Sequence, residues 1–200
     1  MKNIIGFFLV AGILSTSNVL AQDSFFSAQY TMGFGTGNTG DFVSEGSFRG
    51  VTLEYKKMIK PTLAVGIDGG WSAFYERRAY DTYVDGNAAL SGVQYRYQSI
   101  VPLFASASYY FAEDGEKIRP YAGMGIGTLF SKRELDMGLY YVDDQSWHFA
   151  LRPEAGILVN ASANTDIMLN ARYAYGFEAN DVDAQEYLTI NIGAVFYIWE

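Results

Sequence analysis

Residues 187–198, YLTINIGAVFYI, alternate strictly. Leu188, Ile190, Ile192, Ala194, Phe196 and Ile198 share one parity, and Tyr187, Thr189, Asn191, Gly193, Val195 and Tyr197 share the other. Such a period of two predicts a strand with two unlike faces. The pattern recurs. Phe26, Ala28, Tyr30, Met32 and Phe34 oppose Ser27, Gln29, Thr31 and Gly33, and Val51, Leu53 and Tyr55 oppose Thr52, Glu54 and Lys56. Leu63, Val65, Ile67 and Trp71 oppose Ala64, Gly66 and Asp68, while Val101, Leu103, Ala105 and Tyr109 oppose Phe104, Ser106 and Ser108. Further along, Met124, Ile126 and Phe130 oppose Gly123, Gly125 and Gly127. Trp147, Phe149 and Leu151 oppose His148, Ala150 and Arg152, and Ile167, Leu169 and Tyr173 oppose Met168, Asn170 and Arg172. The expectation is eight strands of roughly nine to thirteen residues, with no long helical run.

The connections alternate in length. Spans 37–47, 76–92, 131–145 and 178–186 are long and polar, whereas 57–61, 112–119 and 160–165 are shorter. An up-and-down meander with unlike surroundings at its two ends has this rhythm.

The less apolar face decides what surrounds the strands. It carries Gly, Ala and Ser with a few charges: Glu54, Lys56, Asp68, Arg96, Arg152, Glu154 and Arg172. A water-facing sheet rarely presents bare glycine, which weakens strands. Small residues around a balanced set of charges suit the interior of an eight-stranded barrel, just wide enough for side chains to fill. The other face carries Phe, Ile, Leu, Val and Met in mid-strand, with Tyr and Trp toward the ends, as the aromatic girdles of a membrane barrel require. About 9–11 tilted residues cross a bilayer as a strand. The fold class expected is therefore all-β, an eight-stranded antiparallel up-and-down transmembrane β-barrel.

The N-terminus agrees with export. Lys2, an apolar run from Ile4 to Leu14 and the Val19-Leu20-Ala21 site read as a secretory signal peptide over 1–21, leaving a barrel domain over 22–200. The chain has no cysteine, so a lipid-anchored Cys and a disulfide framework are both excluded. Its 14 Lys and Arg against 22 Asp and Glu, net −8, exclude the basic stripe of a nucleic-acid binder.

The ordered run IVPLFASASYYF, KIRPYAGMGIGTLF, RPEAGILV and NARYAYGF resembles the small outer-membrane β-barrel domain of Gram-negative bacteria, the OmpX- and OmpA-barrel-like proteins, over essentially all of 24–199. The resemblance implies an integral, porin-like cell-surface protein. Both termini would lie in the periplasm and the long loops outside the cell. It implies as partners outer-membrane lipid, lipopolysaccharide, the outer-membrane assembly machinery and a possible extracellular ligand. Such chains usually finish on an outward aromatic read by that machinery. Here Glu200 follows Trp199, which leaves Phe196 or Trp199 to serve.

Candidate chemistry is sparse. The interior charges predict ion pairs that fill and lock the barrel, since a buried charge must be paired; an ion or proton path is the alternative. Ser146 and His148 share the inward parity of one strand and are the candidates for an activated nucleophile in a lipid A-modifying acyl hydrolase or transferase. Glu154 lies ~20 Å further along at about 3.3 Å per residue, so the acid would have to come from Glu134, Asp143 or Asp144. A narrow small-solute channel is a third reading, and a lone interfacial histidine is the plain one. No metal spacing and no cofactor motif is present. The loops mix acids (Asp81, Asp85, Asp143, Asp144, Asp181 and Asp183) with Tyr80, Tyr83, Tyr140 and Tyr141. Tyr offers broad contact area at low entropy cost, as interaction loops exploit, and the acids could bridge divalent cations to lipopolysaccharide. A non-enzymatic membrane scaffold with loops for interaction or adhesion is the function expected.

Overall fold

The computed structural model describes residues 24–85, 88–112, 116–138, 140–162, 164–180 and 182–198, with side chains for all of these except 83–85 and 88–90. The leader over 1–21, the side chain of Tyr83, Asp85, Asp181, Trp199 and Glu200 fall outside that description.

The strands are β1 (Ser24–Thr36), β2 (Gly50–Lys60), β3 (Leu63–Asp85) and β4 (Ala88–Tyr110), then β5 (Ile118–Asp136), β6 (Tyr141–Ser162), β7 (Thr165–Gly176) and β8 (Gln185–Ile198). Each pairs antiparallel with the next, and β8 pairs back onto β1, from Ser24↔Ile198 to Thr36↔Glu186, closing the barrel. Closure leaves no sheet edge around the waist, which is what a strand structure in hydrocarbon requires. The three turns β2–β3, β4–β5 and β6–β7 lie at one end with the barrel's two termini. That end is called lower here and the opposite end upper.

The faces follow the alternation. Ile67, Leu103, Met124, Ile126 and Phe149 stand on the exterior, each more than half exposed, while Glu54, Lys56, Arg152 and Arg172 are buried inside. Burying an aliphatic side chain is worth about 1.5–3 kcal/mol. In water this cylinder would forgo that gain all round its waist; hydrocarbon supplies it. Aromatic residues mark the limits of the band. Phe130 packs on Trp147 at the upper side, with ring centroids 5.2 Å apart, and Tyr109 packs on Phe111 at the lower side, at 5.4 Å.

Glycines on the inner face make room for the large side chains there. A Cβ at Gly33 would sit 2.8 Å from the Phe74 ring, and one at Gly123 would sit 2.9 Å from a Glu154 carboxylate oxygen.

Two expectations change. β1, β2, β7 and β8 hold 11–14 residues, but β3, β4, β5 and β6 hold 23, 23, 19 and 22. Much of the spans 76–92 and 131–145 is therefore strand. Each of these two connections pairs with itself as a hairpin, and β4 and β5 stay paired up to Tyr95↔Asp136. The span 37–47 is not an outward loop. It forms a short helix, α1 (Gly37–Phe42), and turns into the upper mouth, where Val43 is fully buried.

Candidate functional site

Three layers fill the interior. The lower layer is apolar and holds Phe25, Ala64, Tyr110, Tyr121, Leu158, Met168 and Val195. The upper layer holds Val43, Phe74, Ile100, Phe104, Leu129, Ala150, Ala174 and Tyr187. Between them lies a belt of charge. Asp68 falls between Ala64 and Phe74 on β3, Glu154 and Arg152 between Leu158 and Ala150 on β6, and Arg172 between Met168 and Ala174 on β7.

The belt balances three cations with three carboxylates. Lys56 Nζ lies 2.8 Å from both Glu54 and Glu154. Arg152 grips Asp68 with both nitrogens of its fork, at 2.5 and 2.6 Å. Arg172 donates to Glu54, and its Nε lies 3.1 Å from Glu154. Ser108 donates to Glu154 at 2.8 Å, and Arg152 stacks 4.3 Å above the Phe104 ring. Ions removed from water need this density of partners, because each carries a desolvation penalty of several kcal/mol. A cavity of about 20 Å³ beside the belt, bordered by Thr31, Thr52, Ser72, Arg152 and Arg172, has room for about one water.

Arg96 corrects the expected network. It shares the inward parity but sits higher on β4, where it donates to Gln94 Oε1 (2.7 Å) and to the carbonyls of Asp41 (3.2 Å) and Phe42 (2.8 Å). Arg78 reaches the Asp41 carbonyl at 3.3 Å and Arg133 the Asn38 carbonyl at 3.2 Å. Phe42 lies against both Arg96 and Arg133, whose guanidinium carbons are 5.2 and 5.1 Å from its ring centroid. Glu76 completes the latch, accepting from Ser44 N at 2.6 Å and from Arg78 Nε at 2.8 Å. Buried Gln185 accepts from Gln98 at 2.7 Å and from Arg133 at 3.1 Å. Sequence parity gives the direction of these side chains. It says nothing of the loop that meets them, so the latch escaped the sequence reading.

Ser146 and His148 are both buried and inward, but they do not engage each other. Ser146 Oγ donates to the Ala179 carbonyl at 3.2 Å and accepts from Asn180 at 3.0 Å. His148 Nδ1 meets the Phe177 carbonyl at 2.8 Å, and its Nε2 is buried without a partner. Two of the three proposed acids also stand apart. Glu134 and Asp143 are register partners on the outer face, where Glu134 accepts from Lys132 at 2.6 Å and from Tyr141 at 2.7 Å. His148 is thus a lumenal residue rather than an interfacial one. Tyr80, Tyr140, Tyr141, Asp143 and Asp144 are exposed, and Tyr141, Asp143 and Asp144 lie on β6 itself rather than in a loop.

Among the described residues no three His, Cys, Asp or Glu side chains group as metal ligands, and no helix is long and apolar enough to cross a membrane.

Closed antiparallel connectivity, an apolar exterior and an ion-paired interior together define a small eight-stranded outer-membrane β-barrel fold. Solved structures share it at low sequence identity. Neisserial surface protein A is 16% identical, with 90% of this chain and 99% of that one covered and a TM-score of 0.56. A major outer membrane protein from Thermus thermophilus is 14% identical over 88% of this chain and 99% of that one, at 0.55. The outer membrane protein OprG from Pseudomonas aeruginosa is 10% identical over 90% and 97%, at 0.52. The chain matches no protein-family model and no curated protein sequence.

Proposed function

We propose that this chain is a non-enzymatic integral protein of the bacterial outer membrane, with its lower end in the periplasm, whose work is done by the sheet that rises above the membrane. The observation that carries this reading is the overrun of four consecutive strands. Spanning a bilayer takes about 9–11 residues per strand, and β3–β6 continue well past that. Above the rim β2 leaves β3 beyond Ser72, and β7 leaves β6 beyond Ala150. Among the described residues no strand pairs with β3 beyond Ser72 or with β6 beyond Ala150 on those sides, which leaves the raised sheet two upper edges suited to an extended partner segment. Charged Glu76, Arg77 and Arg78 on one edge and Asp143 and Asp144 on the other oppose indiscriminate pairing. Exposed Tyr80, Tyr140 and Tyr141 supply contact area at its tips. Lipopolysaccharide and an external ligand are the proposed partners.

Two observations weigh against the rival readings. Among the described residues apolar layers fill the lumen above and below the belt, which weighs against a channel, and Ser146 and His148 bond to carbonyls rather than to each other.

The cysteine-free chain makes the orientation testable. With Tyr80→Cys or Tyr140→Cys, a membrane-impermeant maleimide should label intact cells. Thr62→Cys, in the β2–β3 turn, should react only after the cells are permeabilised. Labelling of Thr62→Cys on intact cells would overturn the proposal.

A further inference from the structure

The outer face of the raised sheet keeps its aromatics beyond the level at which lipid contact ends. Register partners in antiparallel strands share a face. Tyr75, Tyr97 and Glu134 therefore form one outward row, and Arg77, Tyr95 and Asp136 the row above it. Tyr75 and Tyr97 lie ring against ring, with centroids 5.1 Å apart. Tyr97 is 41% exposed, and Tyr75 and Tyr95 are half-buried. One row lower, Ala73 and Ser99 are partners with short side chains. Below them Trp71 falls in the girdle row of Phe130 and Trp147, because Ser72 pairs with Ile100, Ile100 with Ser131 and Ser131 with Ser146. A step of short side chains is thus bounded by aromatic rings above and below.

Height decides what covers this face. Tyr75 follows Trp71 by four residues on one strand, which puts it ~10 Å higher at about 3.3 Å per residue and a tilt of about 40°. The headgroup region of a phospholipid leaflet is only about 5–8 Å deep. Interfacial anchoring accounts for Trp71, but not for tyrosines that far up, and a contiguous exposed patch of this kind marks a contact. Acceptors stand beside the rings. Glu134 takes its bonds from Lys132 and Tyr141 on Oε1, and Asp136 takes Gly138 N on Oδ1. Among the described residues, the second oxygen of each carboxylate has no protein partner. Partial burial raises the pKa of the Tyr97 phenol, and Tyr75, Asp136, Tyr95 and Glu134 add to the rise, so the phenol remains a donor at neutral pH. A sugar ring matches both halves of this surface, laying C–H groups on the aromatic faces and giving hydroxyls to the carboxylates.

We propose that Tyr75, Tyr95 and Tyr97, with Glu134 and Asp136 beside them, form a saccharide-binding platform on the outer flank of the raised sheet. Its occupant is the sugar headgroup of a glycolipid in the same leaflet, which is tall enough to reach the tyrosines where a phospholipid headgroup is not. For the supply of that glycolipid the inference rests on the orientation proposed above, but the recognition of sugar can be read in isolated protein.

The probe is lipopolysaccharide freed of its acyl chains, titrated onto the protein in phosphatidylcholine nanodiscs and followed by saturation-transfer NMR. It should bind with saturation, and the dephosphorylated saccharide should bind as well. Tyr75→Ala with Tyr97→Ala should weaken binding about tenfold or more, as the loss of two stacking rings requires. Tyr97→Phe keeps its ring and should cost far less. If the double variant does not insert, Tyr97→Ala against Tyr97→Phe carries the comparison. Ser99→Cys, the sole thiol in a cysteine-free chain, reads the source. A water-soluble maleimide should label it more slowly in nanodiscs containing intact lipopolysaccharide than in phosphatidylcholine alone, and the two alanine substitutions should restore the faster rate. Absence of saturable binding overturns the proposal, as does binding unchanged by the loss of both rings. Binding that vanishes on dephosphorylation would make phosphate the recognised group, and equal displacement by spermine would mark a cation site; either result overturns it. So does thiol protection that is absent, or that is the same with and without the rings. Failure of the cell-labelling test would invert the orientation and leave these titrations unaffected.

Discussion

The belt and the mouth use the same kind of side chain for opposite ends. In the belt, Arg152 and Arg172 meet carboxylates within fully buried surroundings, and charge is balanced residue for residue. At the mouth, Arg96 and Arg133 meet backbone carbonyls, a glutamine and an aromatic ring at partial exposure. The first arrangement cannot lose a member without stranding an ion in a dry interior. The second can exchange partners with water close by. Identical chemistry is permanent at one depth and replaceable at another, and the local access of water makes the difference.

Glu154→Ala should have the largest effect. It touches Lys56, Arg172 and Arg152, and removing one partner of a buried pair costs about 3–5 kcal/mol. Urea unfolding in lipid vesicles would measure this, and a loss below about 1 kcal/mol, the level of exposed pairs, would erase the contrast with the mouth. Next comes Ile126→Arg, a charge placed on the exterior at mid-strand. At the bilayer midplane it should cost about 2–4 kcal/mol in the same assay. A neutral result would mean that the exterior is not in hydrocarbon. Arg96→Gln should cost less than the roughly 3–5 kcal/mol of a broken buried pair, since Arg96 is only half-buried and water can replace the carbonyls of Asp41 and Phe42 that it reaches. A loss as large as that of Glu154→Ala would make the latch a second structural belt.

The smallest effect concerns Glu134, above the upper girdle. Hydrogen bonds from Lys132 and Tyr141 hold its pKa below the usual 4.5. A depressed carboxylate contributes stability that is complete above that value and is lost as the pH falls through the lower folded value. Acidification from pH 7 to 5 should therefore leave the hairpin unchanged, and Tyr141→Phe should move the carboxyl titration upward, as NMR of the labelled side chain would record.

The barrel's handedness of inside and outside was legible in the sequence because each strand has two different solvents, and parity reports solvent. Tyr187 and Val195 fall inward and Ile190 and Phe196 outward, as their positions in the alternation require. Strand length was not legible above the rim. There both faces meet water, so Arg77, Arg78, Asp81 and Thr82 are polar on either parity and the period vanishes while the pairing continues. Arg96 shows a related limit. Alternation fixes which way a side chain points but not its height, and whether an arginine meets Asp68 or the Phe42 carbonyl depends on a loop more than fifty residues away in sequence. The inward turn of 37–47 has the same origin, since its partners are supplied by β3, β4, β5 and β8.

Because the long strands are consecutive, the cylinder has a heading. Seen from its upper end it carries a rampart over one half of its circumference and none over the other. Neighbours diffusing in the membrane would meet different terrain according to their bearing, so crowding against one flank would screen the tips while leaving the other approach clear.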